Sequence, residues 1–353
     1  MAIQAGMVGL PQCGKTTIYN AITGAAASGF GAAEMNRAII NVPDNRIEPL
    51  VELYHPEKTI YATLEVVDIP GLQLGSTSEG GRGNRLLGHI KDVNALLHVV
   101  RCFESGGPID PEGDVEIIDL EMVTADLQTI ENKINRLVKK SRSGDKEAIR
   151  EMELCREVHN ALEAGIPARK QGLSEAELKA VADCHLASIK PILYIANLGS
   201  MDDAEEEPTK KLRELAKEEG AEMIVVAGRD EADLIELDED DRQLFMDELG
   251  ITESSMARLI RATYRLLGLI SFFTTGEDEV HAWTCRDGAP APVAAGKIHS
   301  DMESGFIRME VIQYPDLIEL GSEEAVARAG KTRLEGKDYL VRDGDIVVVR
   351  FSK

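Results

Sequence analysis

Gly9-Leu10-Pro11-Gln12-Cys13-Gly14-Lys15-Thr16 reads GxxxxGKT. It follows the strand-like run Ile3-Gln4-Ala5-Gly6-Met7-Val8 and precedes Thr16 to Ile22, which reads as a helix. Strand, glycine turn and helix in that order are the context a phosphate-binding loop requires. The glycines let the backbone fold round an anion with N–H groups turned inward. The following helix adds the positive end of its dipole. Lys15 places a point charge on the β- and γ-phosphates, and the Thr16 hydroxyl reaches Mg²⁺. Pro11, Gln12, Cys13, Gly14, Lys15, Thr16 and Thr17 are therefore candidate nucleotide-binding residues, and Lys15 is the candidate catalytic residue.

Working outward, further apolar runs cover 63–67, 95–100, 191–196 and 222–227. Near-continuous apolar strands are what a parallel sheet covered on both faces requires, which makes the class α/β. Asp68-Ile69-Pro70-Gly71 follows the second run. An acid at that strand end holds Mg²⁺, so Asp68 joins Thr16 as a candidate metal ligand. The Gly71 amide can sense a γ-phosphate. The glycine-rich stretch 75–83 reads as a switch segment ordered by nucleotide. Asn197-Leu198-Gly199-Ser200 ends the 192–196 run, where P-loop GTPases carry Asn-Lys-x-Asp. Lysine and aspartate are both absent, so guanine preference loses its usual basis. Asn197 can hydrogen-bond adenine and Leu198 can pack on a purine. Asp202 and Asp203, in a shifted loop, offer guanine an alternative. Ala227 and Gly228, at the end of the 222–227 run, complete the nucleotide-binding set.

Between 115 and 190 the alternation stops. Val123, Leu127, Ile130, Ile134 and Leu137 form a heptad seam. Ser141 to Asp145 breaks it, and Ile149, Met152, Cys155 and Leu162 line a returning helix. The expectation is an antiparallel helical coiled-coil hairpin inserted into the α/β domain. Its basic arm carries Lys133, Arg136, Lys139, Lys140, Arg142 and Lys146, which can meet RNA phosphates. The expected boundaries are 1–118 and 190–274 for the nucleotide-binding domain, 119–189 for the hairpin and 275–353 for a small terminal domain. There, 339–342 and 346–351 flank Asp343-Gly344-Asp345, a hairpin-turn signal.

Composition narrows the classes. The chain has 353 residues, 39 Lys+Arg and 62 Asp+Glu, for a net charge of −23. That argues against non-specific DNA coating and against DNA sequence recognition. No apolar run approaches the ~20 residues of a membrane helix. The N-terminus lacks the basic region of a signal peptide. Five scattered cysteines without CxxC spacing fit a reducing cytoplasm rather than a disulfide framework. His98, in an apolar strand, reads as a satisfied core histidine. His89 is a weaker substitute catalytic group. Cys13, at a helix N-terminus, sits where thiolate is favoured, but simple packing in the phosphate loop is the favoured reading.

Longer words run along the whole chain: Gly14-Lys15-Thr16-Thr17, Val67-Asp68-Ile69-Pro70-Gly71-Leu72, His98 to Glu104, Ser143-Gly144-Asp145-Lys146, Lys190 to Asn197, Ile235 to Asp238, Ala282-Trp283-Thr284, Ala294 to His299, Gly305 to Arg308 and Glu335 to Tyr339. On these the chain resembles the YchF / Obg-like ATPase family, in the Obg-type branch of P-loop GTPases. The resemblance implies a GTPase-like sheet, the inserted hairpin and a C-terminal TGS domain of β-grasp shape. It implies ATP preferred over GTP, Mg²⁺ as cofactor, and partners in the ribosome or RNA through the hairpin and TGS domain. K⁺ is a second implied cation. The family's potassium-associated Asn is Gln12 here, with its amide oxygen one methylene further out. Ala32 stands where the first switch carries a metal-capping Thr. The loop Ser105–Asp110 lacks the family's histidine, and Ser200 replaces an acid. Leu72 occupies the place of the water-orienting Gln. The expectation is strong nucleotide binding with slow hydrolysis, or a hydrolysis-deficient nucleotide-gated scaffold.

Overall fold

The computed structural model describes residues 3–24, 36–70, 88–142, 144–237, 241 and 253–352. Gly71, Leu72, Ala32 and the glycine-rich stretch 75–83 lie outside them.

The chain divides into two compact units. The first holds Met1–Ala38 and Glu65–Leu259. Its strands are β1 (Gln4–Val8), β2 (Asn36–Asn41), β4 (Thr63–Asp68), β5 (Ala95–Arg101), β6 (Ile192–Asn197) and β7 (Glu222–Val226), in the order β2-β4-β1-β5-β6-β7. β1 runs parallel to β4 and β5, and β6 runs parallel to β5 and β7. The apolar runs explain this: every residue of β6 is buried, so both of its faces must be covered. α1 (Lys15–Thr23) opens directly from the glycine loop. α2 (Ile47–Tyr54) belongs to the second unit.

α3 (Pro111–Ser141) and α4 (Lys146–Glu163) form the hairpin. The heptad seam does face inward: Val123, Ile130 and Leu137 pack with Cys155, Val158 and Leu162 in one core. Asp110 and Asp145 cap the two helices, and Gly144 turns between them at φ 80°. One residue of the basic arm departs from expectation. Lys133 is buried at 3% side-chain exposure and engages Glu151, Asp183 and the Ala180 carbonyl. Arg136, Lys139, Lys140, Arg142 and Lys146 remain exposed. Then come α5 (Glu175–Val181), α6 (Glu207–Glu218), α7 (Gly228–Glu236) and α8 (Ser255–Leu266).

The hairpin root is tied to the sheet by a buried ionic cluster. Arg169 Nη2 donates to both Asp119 oxygens at 2.8 and 2.7 Å and lies 3.4 Å from Glu219. Lys170 also pairs with both acids. The Tyr194 hydroxyl, from β6, donates to Glu219 at 3.0 Å.

The second unit holds Ile39–Leu64 and Ile260–Lys353. Its sheet, β11-β10-β12-β8-β9-β3, is made from β8 (Leu269–Thr274), β9 (Glu279–Arg286), β10 (Phe306–Gln313), β11 (Arg333–Glu335) and β12 (Asp345–Phe351), with β3 (Lys58–Ile60) at one edge. α9 (Ala291–Ile298) packs on it through Ala291, Ala294 and Ala295, giving the β-grasp arrangement. α10 (Ser300–Ser304), α11 (Tyr314–Leu320) and α12 (Glu323–Arg328) complete it. Two expectations change here. This unit begins at Ile260, not 275, and draws in 39–64, because β3 pairs with β9 and Arg46 bonds Asp343 at 2.8 Å. The 339–351 hairpin does not form. The turn is real, with Gly344 at φ 85°, but β12 pairs with β10 and β8, while Leu340 makes only an isolated bridge to Pro290. Asp343 and Asp345 accept from the Ser271, Arg342 and Tyr339 donors, which holds the turn against the body of the sheet.

Candidate functional site

β1 delivers the chain into a tight loop. Gln12 (φ 65°) and Gly14 (φ 86°) both adopt left-handed backbone. Gly14 is required there: a Cβ would lie 2.0 Å from Asn197 Nδ2. The first N–H groups of a helix have no intrahelical acceptor. Asp110 and Asp145 supply one to α3 and α4. α1 has a glycine N-cap, no side-chain cap bond and no acid in its first turn. Its donors and its dipole are left for an anion.

The Lys15 ammonium pairs with Asp68 Oδ1, each side chain about 10% exposed. Register sets this up, because Asp68 at the end of β4 lies opposite Met7 of β1. Thr16 follows on the exposed side of α1. A carboxylate and a hydroxyl are hard oxygen donors of the kind Mg²⁺ takes, with waters and phosphate oxygens filling the rest. Among the described residues no cluster of three His, Cys, Asp or Glu forms an all-protein metal cage.

A cavity of about 740 Å³ opens beside the loop, lined by Gly14, Thr17, Asn197 and Leu198 among others. The two base-site candidates, Asn197 and Leu198, are both engaged within the fold. Asn197 is 4% exposed, and its amide is engaged at both ends. Nδ2 donates to the Cys13 carbonyl at 2.8 Å, and Oδ1 accepts from Gly228 N at 3.0 Å. It braces the phosphate loop rather than reading a base. Leu198 is 2% exposed and packs with the sheet core, so it gives the cavity an edge, not a face. Ala227 is buried and Gly228 serves Asn197. Asp203 accepts from Ser200 N at 3.1 Å while lining the cavity.

Phe103, Glu104, Ile109, Glu206, Arg229 and Asp233 also line it, and motif reading assigned them no role. Phe103 and Glu104 fall within the stretch His98 to Glu104 that carries the family resemblance. The 103–108 loop closes on Arg101, whose guanidinium donates to Ser105 Oγ at 3.0 Å and to the Pro108 carbonyl at 2.5 Å. His89 is part-buried in a helical stretch, 88–92, and does not line the cavity.

Of two further residues, Cys13 follows its favoured reading and His98 departs from its own. Burial outweighs the Lys15 charge at Cys13, pushing its thiol up to about 11, so it is a packed thiol and not a thiolate. His98 is buried at 1% exposure, yet its Nδ1 has no partner among the described residues. Burial pulls its pKa down to about 4, so the ring is neutral near pH 7.

A parallel sheet whose first strand feeds a phosphate loop, with Lys15 meeting Asp68 at the strand ends, defines a P-loop nucleotide-binding protein of the GTPase class. Comparison with known proteins narrows it. A family profile described as 50S ribosome-binding GTPase matches residues 4–142, and the YchF GTPase C-terminal profile, a protein of unknown function, matches 269–352. The Bacillus subtilis ribosome-binding ATPase YchF is 44% identical, with all of both chains covered. The Haemophilus influenzae ribosome-binding ATPase YchF is 42% identical, again over all of both chains. The solved Schizosaccharomyces pombe YchF GTPase superposes with a TM-score of 0.87 at 32% identity, covering 99% of this chain and 97% of that one. The chain belongs to the YchF family.

Proposed function

We propose that this chain is a magnesium-dependent nucleotide switch that prefers ATP, hydrolyses it slowly and acts with the ribosome in the cytoplasm. The observation that carries the reading is the uncapped α1 N-terminus, with the Lys15–Asp68 pair at its mouth. Phosphate offers Lys15 a more highly charged partner than one carboxylate, so nucleotide draws the lysine away. Asp68 is then released toward the cation, with Thr16 beside it. Mg²⁺ bound there would neutralise phosphate charge.

Preference for ATP rests on the 197–200 stretch, and Asp203, which lines the cavity, is engaged by the Ser200 amide. Ser200 stands where guanine-reading proteins carry an acid, and Asn197 is engaged within the fold. Phe103 supplies a π-face that any purine can use. Slow turnover rests on Leu72 and on the histidine-free 105–110 loop. Association with the ribosome rests on the relatives' descriptions and on the exposed basic tip Arg136–Lys146. No described helix is long and apolar enough to cross a membrane.

Calorimetry of ATP and GTP with Mg²⁺, in K⁺ and in Na⁺, with phosphate release followed in the same samples, tests the reading. Tighter ATP binding with slow release is expected. Tighter GTP binding would overturn the base preference. Turnover at the ordinary enzymatic scale of ~10 s⁻¹ would overturn slow hydrolysis. Binding with no release at all would point to the nucleotide-gated scaffold instead.

A further inference from the structure

The cavity beside the phosphate loop carries a cation that no motif accounts for. Its floor is the carboxyl end of β6, at Asn197 and Leu198. β5 and β7 run parallel to β6, one on each side. Their pairing continues past the strands: Cys102 N donates to the Asn197 carbonyl and Leu198 N to the Val226 carbonyl, both at 2.8 Å. In such sheets ligands bind outside the carboxyl ends of the strands. Phe103, just after β5, and Arg229, in the first turn of α7 after β7, therefore flank that floor from opposite sides.

Both walls are fixed in place. A Cβ on Gly199 would lie 3.5 Å from Phe103 Cβ, and one on Gly14 would lie 4.0 Å from Phe103 Cε1. The ring thus reaches from the floor to the phosphate loop. Gly228 N donates to Asn197 Oδ1 at 3.0 Å, which sets the start of α7 against the same floor. Among the described residues Arg229 is the only Lys or Arg lining the cavity, and its exposed side chain makes no hydrogen bond or ion pair with any of them. Asp233 lies four residues on along α7, the spacing of a helical ion pair, yet does not pair with it.

Charge decides what this wall holds. Glu104, Asp203, Glu206 and Asp233 line the cavity beyond the loop. Four carboxylates repel phosphate, and phosphate already has Lys15 and the open donors of α1. The uncharged part of a nucleotide, its base, is what the acid-lined end accepts. We propose that Arg229 is the second wall of the base site, its guanidinium lying flat on the purine face turned away from Phe103. This role presupposes the nucleotide reading above. A planar guanidinium stacks on an aromatic face while its N–H edge stays free for water or acids, which a compact ammonium cannot match. Stacking serves every purine, so this wall raises affinity for a base over a bare polyphosphate without choosing between adenine and guanine.

The test titrates the full-length chain with Mg²⁺–ATP, and with inorganic triphosphate as the base-free probe, in about 0.15 M salt. Arg229→Ala is expected to weaken ATP about tenfold and triphosphate less than about twofold. Arg229→Lys keeps the charge and should stay about threefold or more weaker than the parent toward ATP. The direct readout is the Nε–H signal of Arg229 in ¹⁵N-labelled protein. A ring stacked on the guanidinium moves that proton upfield, whereas a hydrogen bond to phosphate or to a base edge moves it downfield. An upfield shift with ATP, absent with triphosphate, is expected. Equal losses of ATP and triphosphate, full recovery in Arg229→Lys, or a downfield shift would each overturn the stacking role. A parent chain that failed to bind ATP would sink the nucleotide reading itself. ATP binding indifferent to Arg229 would sink this wall alone.

Discussion

Two basic–acidic contacts in the first unit are equally buried and differently built. Lys15 and Asp68 are each about 10% exposed. Arg169, Asp119 and Glu219 are 10%, 9% and 8% exposed. The difference is the number of partners. Lys15 has one acid, beside a helix end with open donors. Arg169 meets two acids, both acids also meet Lys170, and Tyr194 adds a hydroxyl. A pair held by one bond can be exchanged for a ligand. A cluster of several charges cannot release one member without leaving another charge buried and unpaired, even though Arg169 Nε and Nη1 find no partner among the described residues. Burial alone does not tell a singly paired contact from a multiply paired one.

Mutations can break or sharpen this contrast. The largest effect belongs to the Arg169 cluster. Arg169→Met should lower unfolding stability by about 3–5 kcal/mol in urea titrations, because Asp119 keeps a buried charge with Lys170 as its only close cation among the described residues. The nucleotide affinity of the folded fraction should be nearly unchanged. Lys15→Ala should do the reverse. It removes a charge-assisted contact to phosphate, about 3 kcal/mol or on the order of 100-fold in ATP affinity by calorimetry, with little change in urea midpoint. If Lys15→Ala proved the more destabilising to the fold, the distinction by partner number would fail.

His98 extends the comparison to pH. Its ring centroid lies 5.6 Å from that of Tyr194 beside the cluster, and it titrates near 4 in the fold against 6.5 when unfolded. Between those values the unfolded chain binds the extra proton. Stability from the neutral ring is therefore complete above about pH 6.5 and drains away as pH falls toward 4, on the order of 3 kcal/mol in all. The urea midpoint of His98→Gln, followed over that window, should fall less steeply than that of the parent. Asn197→Ala removes the brace on the Cys13 carbonyl and Gly228 amide, and should cost about 1–3 kcal/mol, shared between stability and ATP affinity. The smallest change is Asp145→Ala, a lost cap on α4, at about 1 kcal/mol in stability and none in nucleotide binding.

Much of this was legible in the amino-acid order. The phosphate loop was legible because Gly14, Lys15 and Thr16 are consecutive in one short stretch between a strand and a helix. The hairpin was legible because Val123, Ile130 and Leu137 repeat with helical spacing. The pairing of Lys133 was not, since its acids Glu151 and Asp183 lie far along the chain. Asn197 was legible as a site residue but not in its role, because its partners, Cys13 and Gly228, come from two other segments.

Sequence by itself determined the elements and the phosphate loop, since helix and strand periods and left-handed glycines are properties of short stretches. Tertiary structure alone decided which strand neighbours which. β3 left the sheet of its chain neighbours for β9, and β12 took β10 and β8 instead of the segment just before it. The physical reason is that a backbone ladder offers the same N–H and C=O groups to every strand. The choice falls to packing that only the assembled chain provides.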